Sequence, residues 1–266
     1  MKALTQKRRH PFAFVALLLL GLLLSGGLYA AATTVNQAQA SNGAAEAYSA
    51  EQVEEGERLF VANCATCHGM DAEGSDAGPS LVGAGAASVE FQVGTGRMPM
   101  QMQGPQAQQK PPQFNDEQTT MMAAYVASLG AGPAVPDDEY LDVDQGDAAR
   151  GGELFRNNCA MCHNAAAAGG ALTEGKYAPS LDGVDEVDIY TAMTTGPQNM
   201  PVFNDANIPP EDKRDIIAYL KNDQFQANPG GFSLGSLGPV SEGLLIWTLG
   251  LALLIGSMVW LTSRSS

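Results

Sequence analysis

Two five-residue strings constrain this chain more than anything else in it: Cys64-Ala65-Thr66-Cys67-His68 and Cys159-Ala160-Met161-Cys162-His163. In a C-x-x-C-H run the two thiols add across the vinyl groups of a haem, and the histidine is placed to bind its iron. The strings use all four cysteines and two of the three histidines. Each is therefore read as the site of one covalently bound haem c. Cys64, Cys67, Cys159 and Cys162 are the attachment residues, and His68 and His163 the proximal ligands. A redox dithiol would need a βαβ setting, and no alternating strand pattern surrounds either copy. A zinc ribbon places its two pairs roughly 15–20 residues apart, whereas 91 residues separate Cys67 from Cys159. A disulfide within either pair leaves the histidine unexplained. Two haems on one chain imply electron transfer.

Long uncharged apolar stretches flank the motifs, from Phe12 to Ala32 and from Gly243 to Ser263. Each is about 20 residues, enough helix for a ~30 Å hydrocarbon core. Lys2, Lys7, Arg8, Arg9 and His10 precede the first and Arg264 follows the second. By the positive-inside rule both termini are then cytoplasmic. The haem motifs face the periplasm or exterior, the side on which haem is attached. The protein is expected in the cell membrane, multi-pass if the first stretch is retained. That stretch fits two readings. One is a secretory signal cleaved after Ala38-Gln39-Ala40; the other, favoured by the length of the apolar run, is a retained anchor. Trp247 and Trp260 stand near the ends of the second stretch, as an aromatic belt would have it.

Residues 41–240 hold 28 Asp and Glu against 9 Lys and Arg, a balance of −19. A nucleic-acid partner, which needs a basic footprint, is excluded. An acidic excess of this size can be simply a solvated face, or can steer the protein toward a basic partner.

Aligning the motifs exposes an internal repeat. Gly56-Glu57-Arg58-Leu59-Phe60 precedes the first, and Gly151-Gly152-Glu153-Leu154-Phe155 the second. Gly78-Pro79-Ser80-Leu81 and Ala178-Pro179-Ser180-Leu181 follow, then Gly96-Arg97-Met98-Pro99 and Gln198-Asn199-Met200-Pro201. Each copy closes on a helical run with a tyrosine, Tyr125 or Tyr219. The expected organisation is a flank and signal or anchor over 1–40, a first domain over 46–130 and a second over 148–225. An acidic Pro/Gly linker over 131–147 joins the domains, because proline, glycine and like charge oppose a packed element. A further connection over 226–242 leads to a transmembrane helix over 243–263. Gln101 to Gln113, rich in Gln and Pro, is read as an irregular insert in the first domain.

This pattern resembles the class I cytochrome c fold, twice. The fold class is then all-α: two tandem class I domains, a C-terminal transmembrane helix and an N-terminal signal or anchor helix. In that family an N-terminal helix leads into the haem motif and crosses the C-terminal helix. A small residue and packed aromatics mark the crossing. Gly56, Phe60 and Tyr125, and Gly151, Phe155 and Tyr219, match those roles. The resemblance also implies distal iron ligands on Met-Pro loops, Met98 and Met200. They lie 30 and 37 residues beyond His68 and His163. Met100, Met102 and Met193 compete with them, and most methionines are core filler. A thioether ligand raises the potential, and two filled axial positions suit a carrier. Pro79 and Pro179 match the family proline whose carbonyl accepts a hydrogen bond from the proximal histidine. The competing reading is a plain turn proline.

The arrangement as a whole is similar to the dihaem cytochrome c subunit of actinobacterial quinol–cytochrome c reductases, cytochrome bc1-type complexes. That resemblance implies an electron-transfer subunit of a translocase oxidising a quinol, menaquinol by expectation. Its partners would be the cytochrome b and Rieske iron–sulfur subunits, with electrons leaving to the copper-centre subunit of a cytochrome c oxidase. The first domain would face the Rieske protein, by family analogy. Rival readings are a dihaem subunit of a haem–copper oxidase, a free membrane-tethered shuttle and a self-contained dihaem enzyme.

Overall fold

The computed structural model describes residues 11–102, 104–222 and 239–264. The N-terminal basic residues, from Lys2 to His10, lie outside the described residues, as does most of the 226–242 connection. The described architecture is all-α apart from one hairpin of two-residue strands. Helix α1 (Pro11–Ala47) carries the first apolar stretch and runs on as one 37-residue helix through the polar sequence that follows. Helix α10 (Pro239–Ser263) carries the second. Phe14–Ala31 and Gly243–Ser263 are each long and apolar enough to cross a membrane, and nothing in the fold buries them. A helix that is apolar on every side needs an apolar surround of its own.

The chain divides into two compact units, Met1–Val89 with Asn115–Ala134, and Glu90–Phe114 with Val135–Ser266. In the first unit, α2 (Ala50–Asn63) leads into the one-turn α3 (Ala65–His68), and α5 (Asp116–Ser128) closes the repeat. Both long helices begin with a capping box. Ser49 Oγ accepts from the Gln52 N–H at 3.2 Å and Gln52 Oε1 from the Ser49 N–H at 2.8 Å. Asn115 and Gln118 exchange the same pair of bonds at 2.9 and 3.2 Å. Each box satisfies two N–H groups that a helix start leaves without partners. Helices α2 and α5 cross where Gly56 faces the Met121 carbonyl, and an added Cβ there would overlap that oxygen. Phe60, 1 % exposed, packs beside the crossing against Tyr125, with ring centroids 5.2 Å apart.

The second unit repeats the plan with α6 (Ala148–Asn158), α7 (Ala160–His163), α8 (Glu186–Thr195) and α9 (Pro210–Lys221). Helices α6 and α9 cross over Gly151, which lies against the Asp215 carbonyl. Phe155 and Tyr219 pack beside it at 5.6 Å. Phe155, Ile189, Tyr190, Met193, Ile208, Ile216, Ile217 and Leu220 form the core. Met193, buried at 2 % exposure, is part of this packing.

The acidic stretch read from sequence as a linker contains two 3-10 turns, Asp138–Tyr140 and Val143–Gln145. Tyr140, Leu141 and Val143 pack against the second unit's core. Asp147, at the end of the stretch, caps α6 by accepting from the Ala149 and Arg150 N–H groups at 2.9 and 3.1 Å. The strands β1 (Gly170–Ala171) and β2 (Tyr177–Ala178) pair antiparallel, an element the sequence reading did not contain.

Candidate functional site: two histidine loops on helix ends

Each C-x-x-C-H run is wound at the end of its repeat's first helix. Cys64 closes α2 and opens α3, and its carbonyl accepts from the N–H groups of Cys67 and His68 at 3.1 and 3.0 Å. Cys159 does the same for α6 and α7, with bonds of 3.1 and 2.9 Å from Cys162 and His163. One helical turn thus places both thiols and the imidazole of each motif together. None of the four cysteines forms a disulfide. Burial, with the neighbouring thiol second, pushes the free Cys64 and Cys159 thiols up to about 11.

The backbone after each motif is also duplicated. The His68 carbonyl accepts from the Gly74 N–H at 2.7 Å, and the His163 carbonyl from the Gly169 N–H at 2.9 Å. The carbonyls of Ala72 and Ala167 accept from the N–H groups of Leu81 and Leu181, at 2.8 and 2.9 Å. Both alanines are buried and both have positive φ, 58° and 50°. Each path brings a proline carbonyl to the imidazole. His68 Nδ1 lies 2.8 Å from the Pro79 oxygen, and His163 Nδ1 3.0 Å from the Pro179 oxygen. A carbonyl can only accept, so each Nδ1 carries a proton, and in the neutral ring Nε2 is the nitrogen with the free lone pair. Burial lowers the His163 pKa, against the opposing pull of the Pro179 bond, and so favours the neutral ring that binds metal.

Comparison with known proteins agrees with the duplicated geometry. A family model described as "Cytochrome C oxidase, cbb3-type, subunit III" matches this chain twice, at residues 51–126 and 146–220. Over longer spans the chain is similar to cytochrome bc1 complex cytochrome c subunits. It is 48% identical to that of Corynebacterium efficiens over 228 residues, covering 80% of this chain and 77% of the relative. Identity to the Corynebacterium diphtheriae subunit is 43%, covering 92% and 93%. For Mycobacterium tuberculosis it is 44%, covering 98% and 94%. The chain belongs to the family of cytochrome bc1 complex cytochrome c subunits. It is a haem-binding electron-transport protein with two cytochrome c domains.

The residues fit that cofactor. Gly78 lies so close to the Cys67 carbonyl and the His68 ring that a Cβ would stand 2.8 Å from the oxygen and 3.2 Å from Cε1. That close approach brings the Pro79 carbonyl to Nδ1, so the motif offers two thiols outside any disulfide and an imidazole held through its other nitrogen, the donor set a covalent haem needs. In the second unit, Cys159, Ala160, Leu181, Met193 and Met200 belong to one apolar cluster, so motif and Met-Pro loop come together there. Met200 is half-buried, and its N–H donates to the Pro197 carbonyl at 3.0 Å. Met98, also half-buried, lies on the Glu90–Phe114 stretch of the second unit, whereas Cys64, Cys67 and His68 lie in the first. Its N–H donates to the Gln92 carbonyl at 2.8 Å, in the turn that ends α4 (Gly85–Gly94). Met102 is 79 % exposed.

Sequence reading passed over Arg97, which precedes Met98. Its guanidinium lies 4.6 Å from the Phe91 ring centre. Burial lowers its pKa, opposed by the negative charge of Asp188. A lone basic residue beside a candidate ligand in so acidic a chain was the available signal.

Proposed function

We propose that this chain holds two haem c groups and carries electrons through a quinol–cytochrome c reductase, a translocase. Cys64 and Cys67 attach one group, with His68 and Met98 as axial ligands. Cys159 and Cys162 attach the other, with His163 and Met200. The observation that carries this reading is the pair of histidine loops, each committing Nδ1 to a proline carbonyl and leaving Nε2 for iron. That bond fixes the ring and raises its basicity. Met98 and Met200 would supply thioether sulfurs to the iron, ligands that favour its ferrous form. Bound haem supplies a one-electron couple between the Rieske iron–sulfur protein and the copper centre of a cytochrome c oxidase, with menaquinol as the ultimate donor. The first domain meets the Rieske subunit.

Cytochrome b and the membrane complete the surroundings. Helix α10 and a retained α1 anchor the chain in the cell membrane, termini inside and haem domains outside. Arg264 stacks 4.5 Å from the Trp260 ring centre, the pairing of cation and aromatic suited to a headgroup layer. A second reading, the dihaem subunit of a haem–copper oxidase, draws on the description of the matching family model. The relatives matched over nearly the whole chain favour the reductase.

Purification in mild detergent separates the readings. Co-elution with cytochrome b and Rieske subunits supports the reductase. Elution with an oxidase core lacking both, or alone as a free shuttle, rejects it.

A further inference from the structure

Each repeat carries one main insertion relative to the other, and within the second unit these two insertions meet. From Met98 to the first residue of α5 the chain takes 18 residues, and from Met200 to the first of α9 only 10. The extra length of the first copy falls in the Gln- and Pro-rich 101–113 stretch. From the histidine to its proline acceptor the chain takes 11 residues in the first copy and 16 in the second. The extra length of the second copy is the β1–β2 hairpin.

Gln106 joins them. Its Nε2 donates to the Tyr177 carbonyl at 3.0 Å, and its Oε1 accepts from the Tyr177 N–H at 2.9 Å. A side-chain amide here occupies both backbone groups of a strand residue, as a neighbouring strand would. Beside it the Ala107 N–H reaches Gln198 Oε1 at 3.4 Å, and Ala107 is buried at 3 % exposure. The insertion is closed on itself, since Lys110 Nζ donates to the Pro99 carbonyl at 2.6 Å. Gly96 lies so close to the Lys110 carbonyl that no Cβ fits. At its upstream end the Arg97 guanidinium lies 4.6 Å from the ring centre of Phe91 in α4.

The anchoring points are specific. Tyr177 stands two residues before Pro179, the acceptor for His163, and Gln198 two residues before Met200. The segment they hold carries Met98. We propose that Gln106 is a positioning residue for Met98: its pairing with the Tyr177 peptide holds the distal-ligand loop of the first haem against the hairpin that leads into the second haem's histidine support. The proposal rests on Met98 being an iron ligand. Loss of the pairing leaves the loop held by the longer Ala107–Gln198 bond, with the thioether free to leave the iron part of the time.

The test uses the full-length haem-loaded protein. Carbon monoxide binding to the reduced form, the thioether-to-ferric-iron charge-transfer band and amide exchange at Tyr177 are read for each variant. Gln106→Ala should speed carbon monoxide binding at one haem about tenfold, the equivalent of one to two neutral hydrogen bonds. It should also weaken the band and hasten exchange of the Tyr177 N–H. Gln106→Glu keeps the acceptor and loses the donor, so its effects should fall between wild type and alanine. Met98→Ala should open the same haem fully. If both Gln106 variants hasten Tyr177 exchange but leave carbon monoxide binding and the band at wild-type values, while Met98→Ala opens the haem, the positioning role is wrong and the ligand stands. If Met98→Ala leaves both irons closed, the ligand assignment falls, and the role of Gln106 with it.

Discussion

In the last helix of the first repeat Ala123 is fully buried, and at the equivalent place in the second repeat Ile217 is. The same contrast runs through both units. The first is built largely on alanine, with Ala65, Ala72, Ala86, Ala87, Ala123 and Ala127 buried. The second is built on Ile189, Ile208, Ile216, Ile217 and Leu220. Polar supports differ in the same sense. The first unit fastens its crossing helices with a capping box on each. The second joins α6 to α9 directly. Arg150 holds Asp212 through two 2.8 Å bonds, and buried Asp215 accepts from the Asp147 N–H at 2.8 Å. Position 213 is a fully buried lysine paired with Asp205, where the first unit has Thr119 bonded to its own helix. One backbone plan thus tolerates two chemistries of support, because what both copies share is the close approach over a glycine and the aromatic pair beside it.

The shared elements should therefore be the least tolerant. Gly56→Ala and Gly151→Ala each force a Cβ into a backbone carbonyl of the crossing helix. Each should cost about 4–5 kcal/mol, the range reserved for severe lesions. Denaturation followed by haem absorbance should show one domain lost in each variant. Equal tolerance of alanine at both sites would break the comparison at its root.

The contrasting cores should each lose stability when given the other's residue, by different mechanisms. Ile217→Ala gives the second unit the first unit's residue and should cost about 2–5 kcal/mol through the cavity it leaves. Ala123→Ile should cost the first unit about 1–3 kcal/mol by overpacking. Single-domain melts of the two variants check both signs, and a stabilising Ala123→Ile would show that the first core is underfilled.

Polar supports come next. Asp215→Ala leaves the Asp147 N–H without its acceptor and should cost about 1–3 kcal/mol. Arg150 is 55 % exposed, so its ion pair adds little to that figure. Ser49→Ala or Asn115→Ala in the first unit should each cost about 1 kcal/mol, the usual worth of a helix cap. Urea midpoints of the three variants rank them.

The smallest effect belongs to pH. Burial, then the Asp185 charge, pushes Asp188 up to about 6, against the pull of Arg97. A carboxyl raised in the fold adds stability that is complete below its unfolded pKa of about 4 and lost as pH rises through about 6. Asp188→Asn should therefore melt higher than wild type at pH 7–8, and the difference should vanish below about pH 4. A difference that grows toward acid would reverse the sign.

What could be read from the sequence followed from strong local rules. The haem motifs, the glycine-aromatic crossings and the proline acceptors Pro79 and Pro179 are spaced along short stretches, and the structure places each pair in matching geometry. The acidic stretch was harder. Its charges and prolines argue against packing, yet Tyr140, Leu141 and Val143 interleave with them and bury against the second core. Least legible was the Gln106–Tyr177 pairing. It joins a side chain to a backbone 71 residues away, inside segments with no periodicity. Met98 could be named from its proline but not placed, since the packing of the Glu90–Phe114 stretch depends on contacts that composition does not encode.

Two equivalent iron sites on one chain underlie every role assigned to these residues. Haem content per polypeptide, measured with the optical and resonance spectra of the full-length protein, tests this most directly. We predict two covalently bound haem c groups, both low-spin with histidine and methionine ligands, each losing the methionine signal only when Met98 or Met200 is replaced. A single haem, or a high-spin iron with an open sixth position in the wild-type protein, would contradict it.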